Sequence, residues 1–237
     1  MPDEPTAQPP TFDLRDTWRE FARRTGGSFR ESERCGLERF LPAAVWRPTI
    51  QLPVRGETLR IEAVRRSLLG SWRKQHTGLR DWIAPGGEQS FDYTTTINLC
   101  FRPAAPFRMA VGPSNAGESL DRMRHNVDFG PASELSGSEP FLVHAPDPAL
   151  AGLVLRDTTR DELRRLTESG APFELLVHQA PRGWRLDGGR TEIRLRIGAL
   201  LVDHEDLEGF TTVVRESFEQ MQRAGLVREA RGHSPVG

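Results

Sequence analysis

Lysine occurs once in the 237 residues, at Lys74, and tyrosine once, at Tyr93. Almost all positive charge is therefore arginine, and 32 basic side chains against 33 acidic ones leave a formal net charge of −1. A chain so balanced has no long-range field to draw it to nucleic acid or to an anionic membrane. Two cysteines, Cys35 and Cys100, make no disulfide framework. No apolar run approaches the roughly 20 residues that span a bilayer. The opening "MPDEPTAQPP" is acidic and proline-rich, the reverse of a signal peptide's basic start and apolar run. Together these absences lead us to expect a cytoplasmic protein with no membrane insertion.

Chemical signatures are missing as well. The chain holds no G-x-x-x-x-G-K-[ST] phosphate loop, no H-E-x-x-H helix, no C-x-x-C pair, no G-x-S-x-G elbow and no calcium loop. The reading therefore assigns no cofactor, no metal and no catalytic residue.

What is present is a core-forming pattern. Hydrophobic residues make up 37% of the chain and charged residues 27%, which suits a folded domain. Asp13 offers an N-cap to a helix with Leu14, Trp18, Phe21 and Ala22 on one face, and Gly26 and Gly27 stop it. "WRPTIQLPV" alternates through Ile50, Leu52 and Val54, and its two prolines predict an edge strand. "RGET" turns it into "LRIEAV", completing a hairpin. "FDYTTTINLCF" and "FRMAVG" read as two more strands, and "PFLVHA" as another. Asp147 then caps a helix with Pro148 at its first position and Ala149, Leu150, Leu153 and Val154 on its apolar face. Thr159 and Glu162 have capping-box spacing, which predicts a second helix from Thr158 or Thr159 to Gly170. "FELLVHQA" and "TEIRLRIGALL" are strands, the latter with Ile193, Leu195 and Ile197 inward and Arg194 and Arg196 outward. Asp203 caps a last helix with Leu207, Phe210, Val214, Phe218 and Met221 in a stripe, closed by Gly225.

Strands in pairs, with helices at the start, middle and end, predict an α+β fold: an antiparallel-rich sheet with helices packed on it. Residues 1–11 read as a disordered tail, 12–227 as one domain and 228–237 as a loose tail. A helix followed by two strands occurs from Asp13 to Val64 and again from Thr159 to Ile197. That echo suggests a weak two-half organisation with a break near 115–138.

Six histidines are scattered. His125 with Asp121 and Asp128 is the best local cluster, but it falls in an irregular stretch that gives a metal no fixed geometry. His144 and His178 come near strand ends and would meet only if their strands were neighbours; exposed polar-face positions explain both. Cys100, among apolar neighbours, reads as an inert core thiol. The stretch from Arg60 to Asp81 sets six basic side chains against Glu62 and Asp81, with Trp72 and Trp82 interleaved. Arginine pairs with phosphate or carboxylate, and an exposed tryptophan anchors an interface. Arg65, Arg66, Trp72, Arg73, Lys74, Arg80 and Trp82 are therefore the candidate ligand- or partner-binding residues.

"SEPFLVHAPDPALAGLVLRDTTRDELRRL", with "NVDFG" upstream and "WREFARRTGG" and "WRPTIQL" earlier, resembles a pattern in uncharacterised bacterial families known as domains of unknown function. The resemblance spans about Asp13 to Leu226. Glu139-Pro140 stands where those families commonly have Phe-Asp, and the upstream loop is longer. It implies an α+β domain and brings no activity and no site residues.

The favoured expectation is a non-enzymatic binding or adaptor domain for a protein or an anionic ligand. A hydrolase or transferase without a recognised signature, using His125, Asp128 or His144, is the first alternative. A nucleic-acid-associated protein using the Arg60–Arg80 stretch is the second, though the balanced charge disfavours it.

Overall fold

A computed structural model describes residues 14–31, 48–65, 93–114, 137, 139–179 and 189–228. The first helix, α1 (Leu14–Arg24), buries Trp18, Phe21 and Ala22 at helical spacing. Asp16 in its first turn and Arg23 and Arg24 in its last complement the helix dipole. Gly26, at φ 71°, ends it in the left-handed region that suits glycine. Gly27 follows where a Cβ would lie 2.2 Å from Leu52 Cδ2 and 2.7 Å from the Gln51 carbonyl, so the chain passes β2 with no room to spare.

The strands are β1 (Ser28–Glu31), β2 (Pro48–Val54), β3 (Glu57–Arg65), β4 (Tyr93–Phe101), β5 (Met109–Pro113), β6 (Phe141–His144), β7 (Phe173–Gln179) and β8 (Thr191–Ile197). They form one sheet in the order β1-β2-β3-β4-β8-β7-β5-β6, every pair antiparallel. The expected α+β class is what the molecule adopts. The expectation that β2 is an edge strand fails, because the four-residue β1 pairs outside it. That pairing runs only from Glu31↔Pro48 to Ser28↔Gln51. Pro53 therefore falls beyond the end of β1, where none of the described strands asks for its missing N–H, and Pro48 opens the strand. The β2–β3 turn forms as expected, with Arg55 at φ 47° and Gly56 at φ 84°, the positive pair that a tight hairpin needs.

The β7–β8 hairpin inserts between β4 and β5, so the chain from β4 must cross two strands to reach β5. The C-terminal segment pins that crossing: Ala104 N–H donates to the Leu226 carbonyl (2.8 Å) and Arg228 N–H to the Arg102 carbonyl (2.9 Å).

The remaining helices are α2 (Pro148–Val154), α3 (Asp157–Ser169) and α4 (His204–Arg223). As expected, the Asp147 carboxylate accepts from Leu150 N–H (3.0 Å) with Pro148 beginning α2, and Asp203 accepts from Asp206 N–H (2.8 Å) at the start of α4. Each cap contributes about 1 kcal/mol. The α2 face is not the expected one: Ala151 and Val154 are buried, while Ala149 and Leu153 are exposed. The seven-residue helix packs against α4 with Ala151 and Val154 buried, and Leu153 is left facing outward. Nor does the capping box form. Helix α3 begins at Asp157, and Thr159 is already inside it, buried, its hydroxyl without a hydrogen-bond partner among the described residues.

Helix α4 spans about 30 Å for its 20 residues. It touches α1, α2, α3, β4 and β8, and its Phe218 ring lies 5.5 Å from that of Phe101. Trp18 donates from Nε1 to the Leu201 carbonyl (2.9 Å), holding α1 to the segment that leads into α4. The helices thus form one layer over one face of the sheet. Glu139, its side chain 2% exposed, receives Arg164 Nε and Nη2 at 2.7 and 2.8 Å and so ties the start of β6 to α3. Among the described residues no helix is long and apolar enough to cross a membrane.

Candidate functional site

Alternation and register together sort every strand residue onto one of two faces. Ile50, Ile61, Ile97, Leu195, Leu175, Val111 and Val143 line up across the helix-covered face. The other face carries the polar side chains in rows. Thr49, Glu62, Thr96, Arg196 and Glu174 form one row. Gln51, Arg60, Asn98, Arg194 and Leu176 form the next, and Cys100, Glu192 and His178 the third.

Glu192 is the hub of the third row and is only 3% exposed. Its Oε1 accepts from Asn98 Nδ2 (3.2 Å) and Arg194 Nε (3.1 Å), and its Oε2 accepts from Arg194 Nη2. Burial works against the Arg194 charge, but the hydrogen bond and charge of Glu192, with Glu174 behind them, outweigh it and raise the guanidinium pKa. On the next strand His178, 7% exposed, places Nδ1 2.8 Å from the Gln179 carbonyl. A carbonyl only accepts, so Nδ1 carries the hydrogen. The other nitrogen, Nε2, lies 3.6 Å from Glu192 Oε2 and has no hydrogen-bond partner among the described residues. Burial, aided by the Arg194 charge, lowers the His178 pKa against the opposing pull of Glu192 and the carbonyl. On the other flank, burial and then the Glu192 charge push the Cys100 thiol up to about 11. Burial likewise raises the carboxyl of Glu174 despite Arg196 and Arg194.

The chemistry available here is restrained. Strand order puts Glu192 between Cys100 and His178, so thiol and imidazole stand two strands, or about 10 Å, apart. No proton passes directly between them, and the thiol stays protonated at neutral pH. Arg60, Arg194 and Arg196 are matched by Glu62, Glu174 and Glu192; Arg60 Nη2 meets Glu62 Oε2 at 2.6 Å. Among the described residues no group of three or more His, Cys, Asp or Glu is placed to hold a metal ion.

Two expectations about these residues are overturned. Cys100 is not in the core but half-buried on the polar face, because its parity in β4 is that of Thr96 and Asn98 rather than Ile97 and Leu99. Burial, and then the carboxylate beside it, keep its thiol protonated at neutral pH. His144 and His178 are not exposed but buried, and their rings do not meet, because β5 lies between β6 and β7. Sequence reasoning passed over Glu192 and Asn98 altogether. Glu192 did carry a signal, since it shares the parity of Arg194 and Arg196 in "TEIRLRI".

Of the arginine–tryptophan stretch, the backbone of Arg65 is described, paired with Tyr93 at the end of β3. Arg66, Trp72, Arg73, Lys74, Arg80 and Trp82 lie outside the described residues, as do Asp121, His125 and Asp128. The residues that bracket these stretches are informative. Glu31↔Pro48, Arg65↔Tyr93 and Pro113↔Phe141 are all directly paired. The register places all three pairs at the same end of the sheet. Stretches 32–47, 66–92 and 114–140 therefore leave and return at one end. No protein-family model, curated protein or solved structure matches this chain.

Proposed function

We propose that the chain is a non-enzymatic binding or adaptor domain that holds a protein or an anionic ligand through the connection between β3 and β4. One observation carries this reading: the Arg65↔Tyr93 pair brings both ends of the 66–92 connection, which contains the Arg66–Trp82 stretch, to one end of the sheet, where two other long connections also begin and finish. Binding residues are disproportionately set on loops that a stiff scaffold positions. The Arg66–Trp82 stretch sets Arg66, Arg73, Lys74 and Arg80 against Asp81 and holds two of the five tryptophans. Arginine supplies bidentate contacts to carboxylate or phosphate, and tryptophan supplies apolar anchorage.

The test compares wild type with a Trp72→Ala/Trp82→Ala variant and an Arg66→Ala/Arg73→Ala variant. Each is titrated with inorganic pyrophosphate and with an acidic peptide, and each is used as bait in affinity capture. A ligand or partner held by wild type and lost by both variants, with melting temperatures unchanged, supports the reading. Identical partners and identical titrations overturn it.

A further inference from the structure

On the polar face one buried acceptor is given no donor by the described residues. His178 Nδ1 is committed as a donor to the Gln179 carbonyl (2.8 Å), so the neutral ring presents a bare lone pair at Nε2. Nε2 is buried without a hydrogen-bond partner, and the group it faces, Glu192 Oε2 at 3.6 Å, is another acceptor. Two buried acceptors side by side call for a donor.

We propose that the corner between His178 Nε2 and Glu192 Oε2 is a binding site for one neutral group with two polarised hydrogens. Water supplies it when the protein is alone, and a carboxamide NH2 supplies it when a ligand is bound. Charge selects a neutral occupant. Glu192 is already matched by Arg194, so a second cation would be buried uncompensated, and an anion would face the carboxylate directly. Burial selects a small one, since Glu192 and His178 are 3% and 7% exposed. Two hydrogens are needed because each acceptor wants one, and a water bridging buried polar groups is the ordinary form of that arrangement. The site is independent of the β3–β4 connection proposed above to bind a partner.

Nitrogen NMR of the His178 ring at neutral pH, assigned with a His178→Gln variant, tests the premise. The expected result is hydrogen on Nδ1 and an Nε2 acting as a hydrogen-bonded acceptor. Hydrogen on Nε2, or a doubly protonated ring pairing directly with Glu192, overturns the site. Acetamide titrated into the same sample separates the two donors. Saturable movement of the Nε2 signal supports the carboxamide, and no movement overturns that half, leaving water. A His178→Phe variant gives a readout free of spectroscopy. It is expected to melt a few degrees lower, because it removes an acceptor that has a donor. A higher melting temperature would show Nε2 to be an orphan in the wild type and would overturn the proposal. His178→Gln, which keeps an acceptor in reach, is expected to melt between the two.

Discussion

Two adjacent rows cross all eight strands. Phe29, Ile50, Ile61, Ile97, Leu195, Leu175, Val111 and Val143 make one; Ser28, Gln51, Arg60, Asn98, Arg194, Leu176, Ala110 and His144 make the other. The rows are one residue apart along every strand and so point to opposite faces. The first is uniform in chemistry: apart from half-buried Phe29, each position buries a large apolar side chain. The second is particular. Its middle, Asn98 and Arg194, exists to hold Glu192 from the row below, and each member matters for where its neighbour is. The covered face therefore specifies that the chain folds, and the polar face specifies a definite arrangement of groups.

The largest effect should come from breaking the covered face. Phe218→Ala deletes a fully buried ring packed on Phe101. It should cost about 3–5 kcal/mol of unfolding free energy, read from the urea midpoint at constant slope. A loss under about 1 kcal/mol would mean that the helix layer is not what stabilises the sheet. The polar face should break less severely but more specifically. Arg194→Ala leaves the Glu192 carboxylate buried with Asn98 as its remaining side-chain hydrogen-bond donor among the described residues. We expect about 2–3 kcal/mol, below the roughly 3–5 of a fully buried pair because Arg194 is partly solvated. Adding Glu192→Gln should recover part of that loss, as the uncompensated charge goes with it. Additive losses in the double variant would show that the two side chains are not coupled.

A smaller effect should appear with pH. Cys100 is held at about 11 against an ordinary value of 9.0, so the folded state keeps a proton that the unfolded chain releases. That contribution to stability is whole below pH 9 and is lost as pH rises towards 11. His178 runs the other way. Its pKa is lowered from 6.5, so its contribution is whole above pH 6.5 and is lost as pH falls through the folded value. In a Cys35→Ser background, iodoacetamide labelling of native Cys100 should have a pH midpoint well above that of the urea-unfolded chain. Coincident midpoints would mean that Glu192 and burial do not act on the thiol.

Most of the covered face was legible in the sequence because it obeys local rules. Period-two alternation gave β2, β3 and β8, the 3.6-residue stripe gave α4, and Asp147 and Asp203 marked two helix starts through side chains that bond within three residues. The errors are also local in origin. Strand β1 is too short to show a period, and Thr159–Glu162 has capping spacing inside a helix that Asp157 had already begun. The polar face was not legible, because its contacts depend on strand order. Glu192 meets His178 within the β7–β8 hairpin, but Cys100 joins them only because β8 lies against β4, and nothing within "INLCF", "TEIRL" or "LVHQA" announces that pairing.

A second arginine–glutamate cluster allows the last comparison. On the outside of the helix layer Arg165 meets Glu162 (2.9 Å), Glu205 (3.2 Å) and Asp206 (3.2 Å) and lies 4.9 Å over the Phe210 ring. Gly209 makes room for it: a Cβ there would come within 2.4 Å of Arg165 Nη2 and 2.5 Å of Glu162 Oε2. Both atoms end long side chains that are 34% and 24% exposed, so each can swing aside into water. A Gly209→Ala variant would lose some of this pairing, worth at most about 1 kcal/mol at such exposure. It would gain a similar amount from placing alanine in a helix interior. The two terms should nearly cancel, giving a melting temperature within a degree or two of wild type. The same class of ion pair that costs several degrees to break at Glu192 should thus be almost free to disturb here. A large loss in Gly209→Ala would mean that the surface cluster is as tightly specified as the buried one, and the contrast between the two would rest on something other than burial.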